Sequence, residues 1–200
     1  QQILLHFGAV DQIAPVWVNN QQVARHEGGY TEFSADITAA LRGAGAQEIT
    51  VRVEDRNEAG PFPVGKQRNH PAGLFYTGAS GIWQTVWIEP VPTAHIQKLS
   101  ITTDLDSLSI ATRAAGTTGE KAVVFVSEPG GRVVAIAAGP AGEAIRVQVP
   151  KPRLWSPEDP YLYTVRVALV TSSGKVIDAV SSYAGLRTVG IVADSQGRQR

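Results

Sequence analysis

Apolar and polar residues alternate along most of this chain, and a repeat of two places successive side chains on opposite faces of a β-strand. The segments EITVRVED (48–55), AIRVQV (144–149) and YLYTVRVAL (161–169) all follow this repeat. Turns that contain Gly or Pro separate such segments, as they do in sandwiches and barrels. The sequence therefore predicts an all-β protein.

One segment departs from the alternation and predicts a helix. In SADITAALRG (34–43) the apolar residues are spaced so that they share one helical face. Ser34 or Asp36 can cap the first turn, and Gly43 can end the last one. We expect a helix of about two turns here.

The segment VWVNNQQVA (16–24) predicts a β-hairpin. Two β-prone stretches flank Asn19 and Asn20, residues that tolerate the positive φ of a tight turn. We expect strands over 16–18 and 22–24, joined by these two asparagines.

The chain is expected to change sheet near EPVPTAH (89–95). Pro90 and Pro92 cannot both lie in a central strand, because proline has no N–H to donate. Beyond this point the alternation predicts seven strands, a number typical of an immunoglobulin-like sandwich. These strands are expected near residues 95–103, 107–113, 122–127, 132–137, 144–149, 161–170 and 175–183.

The charge balance argues against a nucleic-acid partner. Lys plus Arg and Asp plus Glu number 18 each, so the formal net charge is zero, whereas nucleic-acid binding depends on basic surfaces that neutralise phosphates. No apolar run approaches the roughly 20 residues that cross a bilayer as a helix, so no membrane partner is predicted. The absence of Cys leaves neither a disulfide framework nor a thiolate metal site.

Residue types that carry hydrolytic or metal chemistry do not converge in the sequence. The four His residues lack a metal-binding spacing, so no metal and no other cofactor is predicted. The GASG motif around Ser80 is followed by a strand, whereas a nucleophile elbow leads into a helix. Glu54 and Asp55 are neighbours on a strand and point to opposite faces. We therefore predict no catalytic residue in this chain.

The segment GIWQTVWIE (81–89) reads as one strand with its two Trp residues, Trp83 and Trp87, on the same face. The other face is more aliphatic and is expected to meet the core of its domain. Stacking of sugar rings on the Trp pair is one interpretation. Packing of the pair against another domain is the favoured one, because large aromatic side chains dominate core and interface burial.

Several separated motifs, in order along nearly the whole chain, resemble those of glycoside hydrolase family 2, which includes β-galactosidases and β-glucuronidases. The motifs are LLHFGAVDQIAPVWVNNQQVARHEGGYTEFSADIT (4–38), VRVED (51–55), GKQ (65–67), GLFYTGASGIWQTVWIEPVP (73–92), LWSPEDPYLYTVRV (154–167) and SSYAGLRTV (181–189).

The resemblance implies a domain order. A jelly-roll, galactose-binding-like sugar-binding domain is expected over residues 1–91, without the strands that the family usually has before LLHFG. An immunoglobulin-like β-sandwich is expected over 92–188, and residues 189–200 are expected to begin a linker to a catalytic (β/α)₈ barrel. The parent enzyme would be a retaining glycosidase with two barrel carboxylates about 5 Å apart, neither of which lies in these residues.

The resemblance also points to two loops, HEGGYTEF (26–33) and GLFYTGASG (73–81), which in the family can reach the mouth of the barrel's active site. Packing of these loops only within their own domain is the alternative. An Asp that contacts the sugar in some relatives is replaced here by Phe75, so that contact is not transferred. The residues expected to contact substrate are His26, Glu27, Tyr30, Tyr76 and Trp83.

Three functions stay open at this point. The chain is the non-catalytic portion of a family 2 enzyme that acts on β-galactosides or β-glucuronides, or a stand-alone carbohydrate-binding module, or a purely structural pair of sandwiches that positions the barrel and mediates contacts in a homo-oligomer. Carbohydrate is the expected partner of the family 2 portion and of the stand-alone module. The barrel is the expected partner in cis of the family 2 portion and of the structural pair.

Overall fold

The structure is a computed structural model that describes residues 1–191 and 193–199. The chain divides into two compact units, the first over Gln1–Val91 and the second over Pro92–Arg200. Strands predominate in both, and the all-β prediction is confirmed. No helix in the described ranges is long and apolar enough to span a membrane.

The first unit contains ten strands. They are β1 (Gln2–Phe7), β2 (Val10–Asp11), β3 (Ile13–Val18), β4 (Gln21–Glu27), β5 (Phe33–Asp36), β6 (Ile49–Val51), β7 (Gln67–Arg68), β8 (Tyr76–Thr77), β9 (Gly81–Ile82) and β10 (Val86–Val91). Two three-stranded antiparallel sheets, ordered β10-β1-β5 and β4-β3-β6, form its main layers. The short pairs β2-β9 and β7-β8 lie outside them.

Strands β1 and β3 lie at the centre of the two main sheets and supply most of the core of the first unit. Leu5 and Phe7 of β1 and Val16 and Val18 of β3 are almost fully buried and belong to one cluster. Alternate residues of each strand point into this cluster, as the repeat of two requires. At about 25 cal/mol per Å² of apolar area, such burial is the main stabilising contribution in a sandwich.

The prediction of a helix over residues 34–43 is wrong. Residues Phe33–Asp36 form strand β5, and only a single 3₁₀ turn, Thr38–Ala40, follows. Tertiary pairing overrides the helical spacing, because β5 completes one edge of β1, with Ala35 opposite Leu5. The carboxylate of Asp36 accepts a hydrogen bond from the Thr38 backbone N–H at 2.9 Å, a local bond that competes with helix formation.

The predicted hairpin is confirmed. Asn19 and Asn20 connect β3 to β4 with φ of 50° and 69°, the positive values that a two-residue type I′ turn needs. The Asn19 side chain donates to Ala40 O at 2.9 Å and to Gln47 Oε1 at 2.6 Å, and it accepts from Glu48 N at 3.0 Å. One residue therefore sets the turn and fastens two neighbouring segments to it.

The described residues of the second unit form the seven strands expected from the sequence. They are β11 (His95–Thr103), β12 (Ser107–Ala115), β13 (Lys121–Ser127), β14 (Val133–Pro140), β15 (Ala144–Gln148), β16 (Tyr163–Val170) and β17 (Val176–Ala184). They form a three-stranded sheet, β11-β12-β15, and a four-stranded sheet, β14-β13-β16-β17. This three-plus-four arrangement is that of an immunoglobulin-like sandwich.

The alternation in AIRVQV predicts the core of the second unit correctly. Ile145, Val147 and Val149 are buried, and residues between them are exposed. Buried Tyr163 accepts a hydrogen bond at its hydroxyl from the backbone N–H of Arg153 at 2.8 Å. That bond ties the proline-rich bend before β16 to the sandwich.

The prediction of one continuous strand over 81–89 is wrong. The chain forms β9, leaves the strand conformation at residues 83–85, and resumes as β10. A Cβ on Gly8 would lie 2.8 Å from Cβ of Gln84, so the chain passes very close to Gly8 at this point. Trp83 and Trp87 therefore do not share the face of one strand.

Trp87 lies on β10 and stacks on His6 of β1, with ring centroids 4.7 Å apart and planes 5° from parallel. The His6 imidazole also lies 3.1 Å from a carboxylate oxygen of Glu89. Trp87 keeps 40% of its surface exposed, so the stack on His6 leaves the ring only partly packed. The aliphatic face of β10 is also partly exposed, with Ile88 at 55%.

The first prediction concerns the turn at Asn19. Asn19→Ala should lower the free energy of unfolding of the first unit by about 2–3 kcal/mol, because alanine tolerates positive φ poorly and forms none of the three side-chain hydrogen bonds. Asn19→Gly, which keeps the backbone freedom, should lower the free energy of unfolding by roughly half as much. Urea unfolding of both variants measures the difference, and an Asn19→Ala protein as stable as the wild type contradicts the assignment.

The second prediction concerns the stack on β10. Trp87→Ala should cost about 1–2 kcal/mol of unfolding free energy, below the 3–5 kcal/mol typical of a fully buried aromatic residue. His6→Ala serves as its partner in a double-mutant cycle, where a coupling energy of about 0.5–1.5 kcal/mol is expected for stacked rings. Additive losses in the double variant would show that the stack contributes no stability.

Candidate functional site

A cavity of about 250 Å³ opens on the first unit where its two expected loops meet. Aromatic side chains, one carboxyl group and small residues form its wall. The lining residues are Asp11, Tyr30, Gln67, Ala79, Ser80, Gly81 and Trp83.

The glycine pair in HEGGYTEF (26–33) lets the backbone close over Asp11. Gly28 has φ of 116°, a conformation that favours glycine, and its N–H donates to Gln12 O at 2.9 Å. A Cβ on Gly29 would overlap the Asp11 carboxylate. Glycine is therefore required at both positions, at one for its dihedral angle and at the other for space.

Tyr30 and Trp83 form the aromatic rim of the cavity. The Trp83 indole N–H donates to Gly29 O at 2.7 Å, which fixes the orientation of the ring and joins the two loops. Tyr30 meets Trp83 edge to face, with centroids 6.0 Å apart and planes at 71°. Both rings are about half exposed, at 52% and 53%, so each presents a free surface to the cavity.

Asp11 is the carboxyl group of the cavity and is only 9% exposed. Burial raises the pKa of Asp11 above its ordinary value, the nearby Asp55 carboxylate raises it further, and a hydrogen bond from the Gln67 side chain opposes the rise. Gln67 in turn accepts a hydrogen bond from Ala79 N at 2.6 Å. Gln67 therefore links the carboxyl group to the second loop.

The second loop reaches the cavity through a short parallel pairing. Strand β8 pairs with β7, with Tyr76 opposite Gln67. Tyr76 itself is 68% exposed and does not line the cavity. The pairing thus brings Ser80 and Gly81 to the cavity wall while Tyr76 lies outside it.

Two further expected residues lie away from the cavity wall. His26 stacks on Phe33 at 4.4 Å between centroids and lies 3.1 Å from Thr31 Oγ1. Phe33 stacks on buried Phe7 at 4.7 Å, so His26 is the outer ring of a three-ring stack. Glu27 forms an ion pair with Arg25 at 2.6 Å. The structure therefore brings together Tyr30 and Trp83 but not His26, Glu27 or Tyr76.

Sequence reasoning missed Asp11, Gln67 and Ser80 as members of one site. Asp11 carried a signal, because it is the one charged residue in the largely apolar stretch FGAVDQIAPVWV (7–18). A stretch of this composition is expected to lie in the interior, where an Asp is unusual. Gln67 carried none, since its role depends on a two-residue strand pairing between distant segments.

Asp11 supplies the one carboxyl group among the described lining residues of the cavity. A retaining glycosidase needs two carboxyl groups that face the scissile bond about 5 Å apart. In the part of the chain that the structure describes, no group of three or more His, Asp or Glu residues is arranged to hold a metal. The aromatic rim and the buried polar groups are instead suited to binding.

Comparison with known proteins identifies relatives of both units. The model described as "Glycosyl hydrolases family 2, sugar binding domain" matches residues 1–77, and the model "Glycosyl hydrolases family 2" matches 94–187. A β-glucuronidase of Paenibacillus borealis is 30% identical over 94% of this chain, which spans 34% of that relative. A β-galactosidase of Thermoanaerobacter pseudethanolicus is 28% identical over 94% of this chain, which spans 26% of that relative.

Solved structures show the same fold. A β-glucuronidase from Ruminococcus gnavus in complex with D-glucuronic acid aligns with 96% of this chain at a TM-score of 0.78 and 24% identity, and the chain spans 35% of it. Since models of one family match both units in sequence, this chain belongs to glycosyl hydrolases family 2.

Proposed function

We propose that this chain is the non-catalytic, sugar-binding and scaffold portion of a family 2 enzyme. The parent enzyme hydrolyses terminal β-glycosidic bonds of the β-glucuronide or β-galactoside class, with retention, on a catalytic barrel outside these 200 residues. Relatives with the names β-glucuronidase and β-galactosidase support both substrate classes.

One observation carries this proposal. The chain spans only 34% and 26% of those two relatives, so about two thirds or more of a relative's length lies beyond the matched region. A retaining mechanism needs two carboxyl groups that approach the anomeric carbon together, and the cavity of the first unit presents one that is largely buried. The remainder of the parent is therefore the place for the catalytic pair.

The five residues expected to contact substrate have unequal support. Tyr30 and Trp83 line the cavity with half-exposed rings, and we propose them as the sugar contacts within this chain. His26 and Glu27 have partners of their own. With Tyr76 they would touch sugar only as part of a larger surface that includes the parent's barrel.

A stand-alone carbohydrate-binding module is the second candidate. The cavity favours it, because a site with aromatic walls and buried polar groups can bind a ligand without any contribution from a barrel. The purely structural alternative has no comparable observation in its favour.

The third prediction is that the 200-residue chain alone hydrolyses no aryl glycoside. Incubation with p-nitrophenyl β-glucuronide and β-galactoside should release no nitrophenol above a protein-free control, because the carboxyl pair of the retaining mechanism is missing. Asp11→Asn, Glu27→Gln and Glu54→Gln serve as control variants. Turnover by the wild type that any of these substitutions abolishes contradicts the prediction.

The fourth prediction concerns the parent enzyme. The adjoining coding sequence should encode a barrel with an Asn-Glu pair at a strand end and a later Glu. The full-length protein should hydrolyse one of the same two glycosides and release a product with the β anomeric configuration, as retention requires. Proton NMR of the first-formed sugar measures the configuration, and an α product or a parent without such a barrel rules out the proposed mechanism.

A further inference from the structure

The described residues that line the cavity of the first unit carry charge of one sign only. Among the described residues that line it, Asp11 is an acid and none is Lys, Arg or His. A second carboxylate, that of Asp55, is close enough to interact with Asp11. A ligand carboxylate placed here would meet like charge and no lining cation.

The polar groups of the cavity suit hydroxyl groups instead. A sugar hydroxyl both donates and accepts, and the lining residues offer complementary partners in the Asp11 carboxyl, the Ser80 hydroxyl and the Tyr30 hydroxyl. Asp11 is held in place by Gln67 and by the backbone at Gly29. An acceptor held this firmly can select the position of a hydroxyl group at little entropic cost.

The aromatic rim suits the C–H face of a sugar ring. Trp83 is held by its bond to Gly29 O at 2.7 Å and is still 53% exposed, so its ring is a fixed, open platform. Tyr30 stands at 71° to it and forms a corner. At about 250 Å³ the cavity is below the roughly 300–1,000 Å³ of sites for drug-sized ligands, which limits it to one ring.

We propose that this cavity binds a single neutral pyranose, stacked on Trp83 with hydroxyl groups toward Asp11 and Ser80, and that it excludes uronic acids. The inference rests on the proposed sugar-contacting role of Tyr30 and Trp83 and adds the ligand class. It requires neither the barrel nor hydrolysis, so it stands or falls separately from the activity of the parent.

Calorimetric titration of the 200-residue chain at pH 7 tests this ligand class. The neutral probes are methyl β-D-galactopyranoside and methyl β-D-glucopyranoside, and the charged probe is methyl β-D-glucuronide. We expect at least one neutral sugar to bind about tenfold or more tightly than the glucuronide, a ratio that needs only about 1.4 kcal/mol of discrimination. The glucuronide differs from the glucopyranoside at one carbon, which makes this pair the matched comparison.

Three variants test the assigned roles. Trp83→Ala should weaken binding of the neutral sugar by about tenfold, and Trp83→Phe, which keeps a ring but loses the indole N–H, should weaken it less. Tyr76→Ala should leave binding unchanged, because Tyr76 is an exposed aromatic residue of the same loop outside the cavity. Asp11→Asn should reduce the ratio of neutral-sugar to glucuronide affinity, since it removes the repelling charge. Circular dichroism confirms that each variant is folded.

The outcomes separate the two proposals. Glucuronide binding as tight as that of the neutral sugars overturns the present inference but leaves Tyr30 and Trp83 as sugar contacts. If none of the three probes binds to the folded wild type, both the present inference and the role of Tyr30 and Trp83 as sugar contacts are overturned. The hydrolytic activity of the parent is tested separately, by its own turnover. Binding that Trp83→Ala and Trp83→Phe leave unchanged places the sugar elsewhere and overturns the assignment to this cavity.

Discussion

The antiparallel pairing of β1 with strands on both of its edges is the constraint on which the first unit depends. Phe7, the last residue of β1, lies opposite Phe33 on one side and Val86 on the other. These two residues begin β5 and β10, so the loops that precede both strands must arrive at the same end of β1. The chain leaves β1 at that end and reaches Asp11 within four residues. The cavity follows directly from this topology.

The same pairing explains why the glycines concentrate at this end of the sheet. Three backbone segments converge there, and a side chain at Gly8 would meet Gln84, while one at Gly29 would meet Asp11. Close approach of backbone segments brings hydrogen-bond donors and acceptors together, as in the bond from Trp83 to Gly29. The loops are thereby joined by a bond between residues 54 positions apart, which explains how a rim of loop residues can keep a fixed shape.

The second unit could be predicted from sequence far better than the first, and strand length is the physical reason. Its strands run to nine residues, as in β11 and β17, long enough for the repeat of two to be unambiguous. In the first unit β2, β7, β8 and β9 have two residues each, and no periodicity can be read from two residues. The loop geometry that builds the cavity depends on these short pairings, so the sequence indicated its aromatic residues but not Asp11 or Gln67.

Tertiary context also overrode two local patterns in ways that the sequence could not reveal. Residues 34–43 have helical spacing, but their first part pairs with β1 as strand β5. Without this pairing, the edge of β1 beside the buried Leu5 and Phe7 would have backbone groups without partners. The alternation over 81–89 does not produce one continuous strand, because the chain passes close to Gly8 at Gln84. In both cases the deciding partner lies at least 25 residues away in sequence, beyond the reach of any local rule.

Burial of Asp11 is the feature that gives the cavity its chemical character. A carboxyl group at a buried site is costly unless its acceptors find donors, and Gln67 supplies one such donor. Burial and repulsion from Asp55 raise the pKa of Asp11, and the hydrogen bond from Gln67 opposes only part of this rise. A hydroxyl-bearing ligand would add donors to the carboxylate and reduce that cost further, whereas a carboxylate ligand would add a third negative charge. The cavity therefore gives a uronic acid no electrostatic advantage over a neutral sugar, because its described lining residues include the Asp11 carboxyl group and no cation.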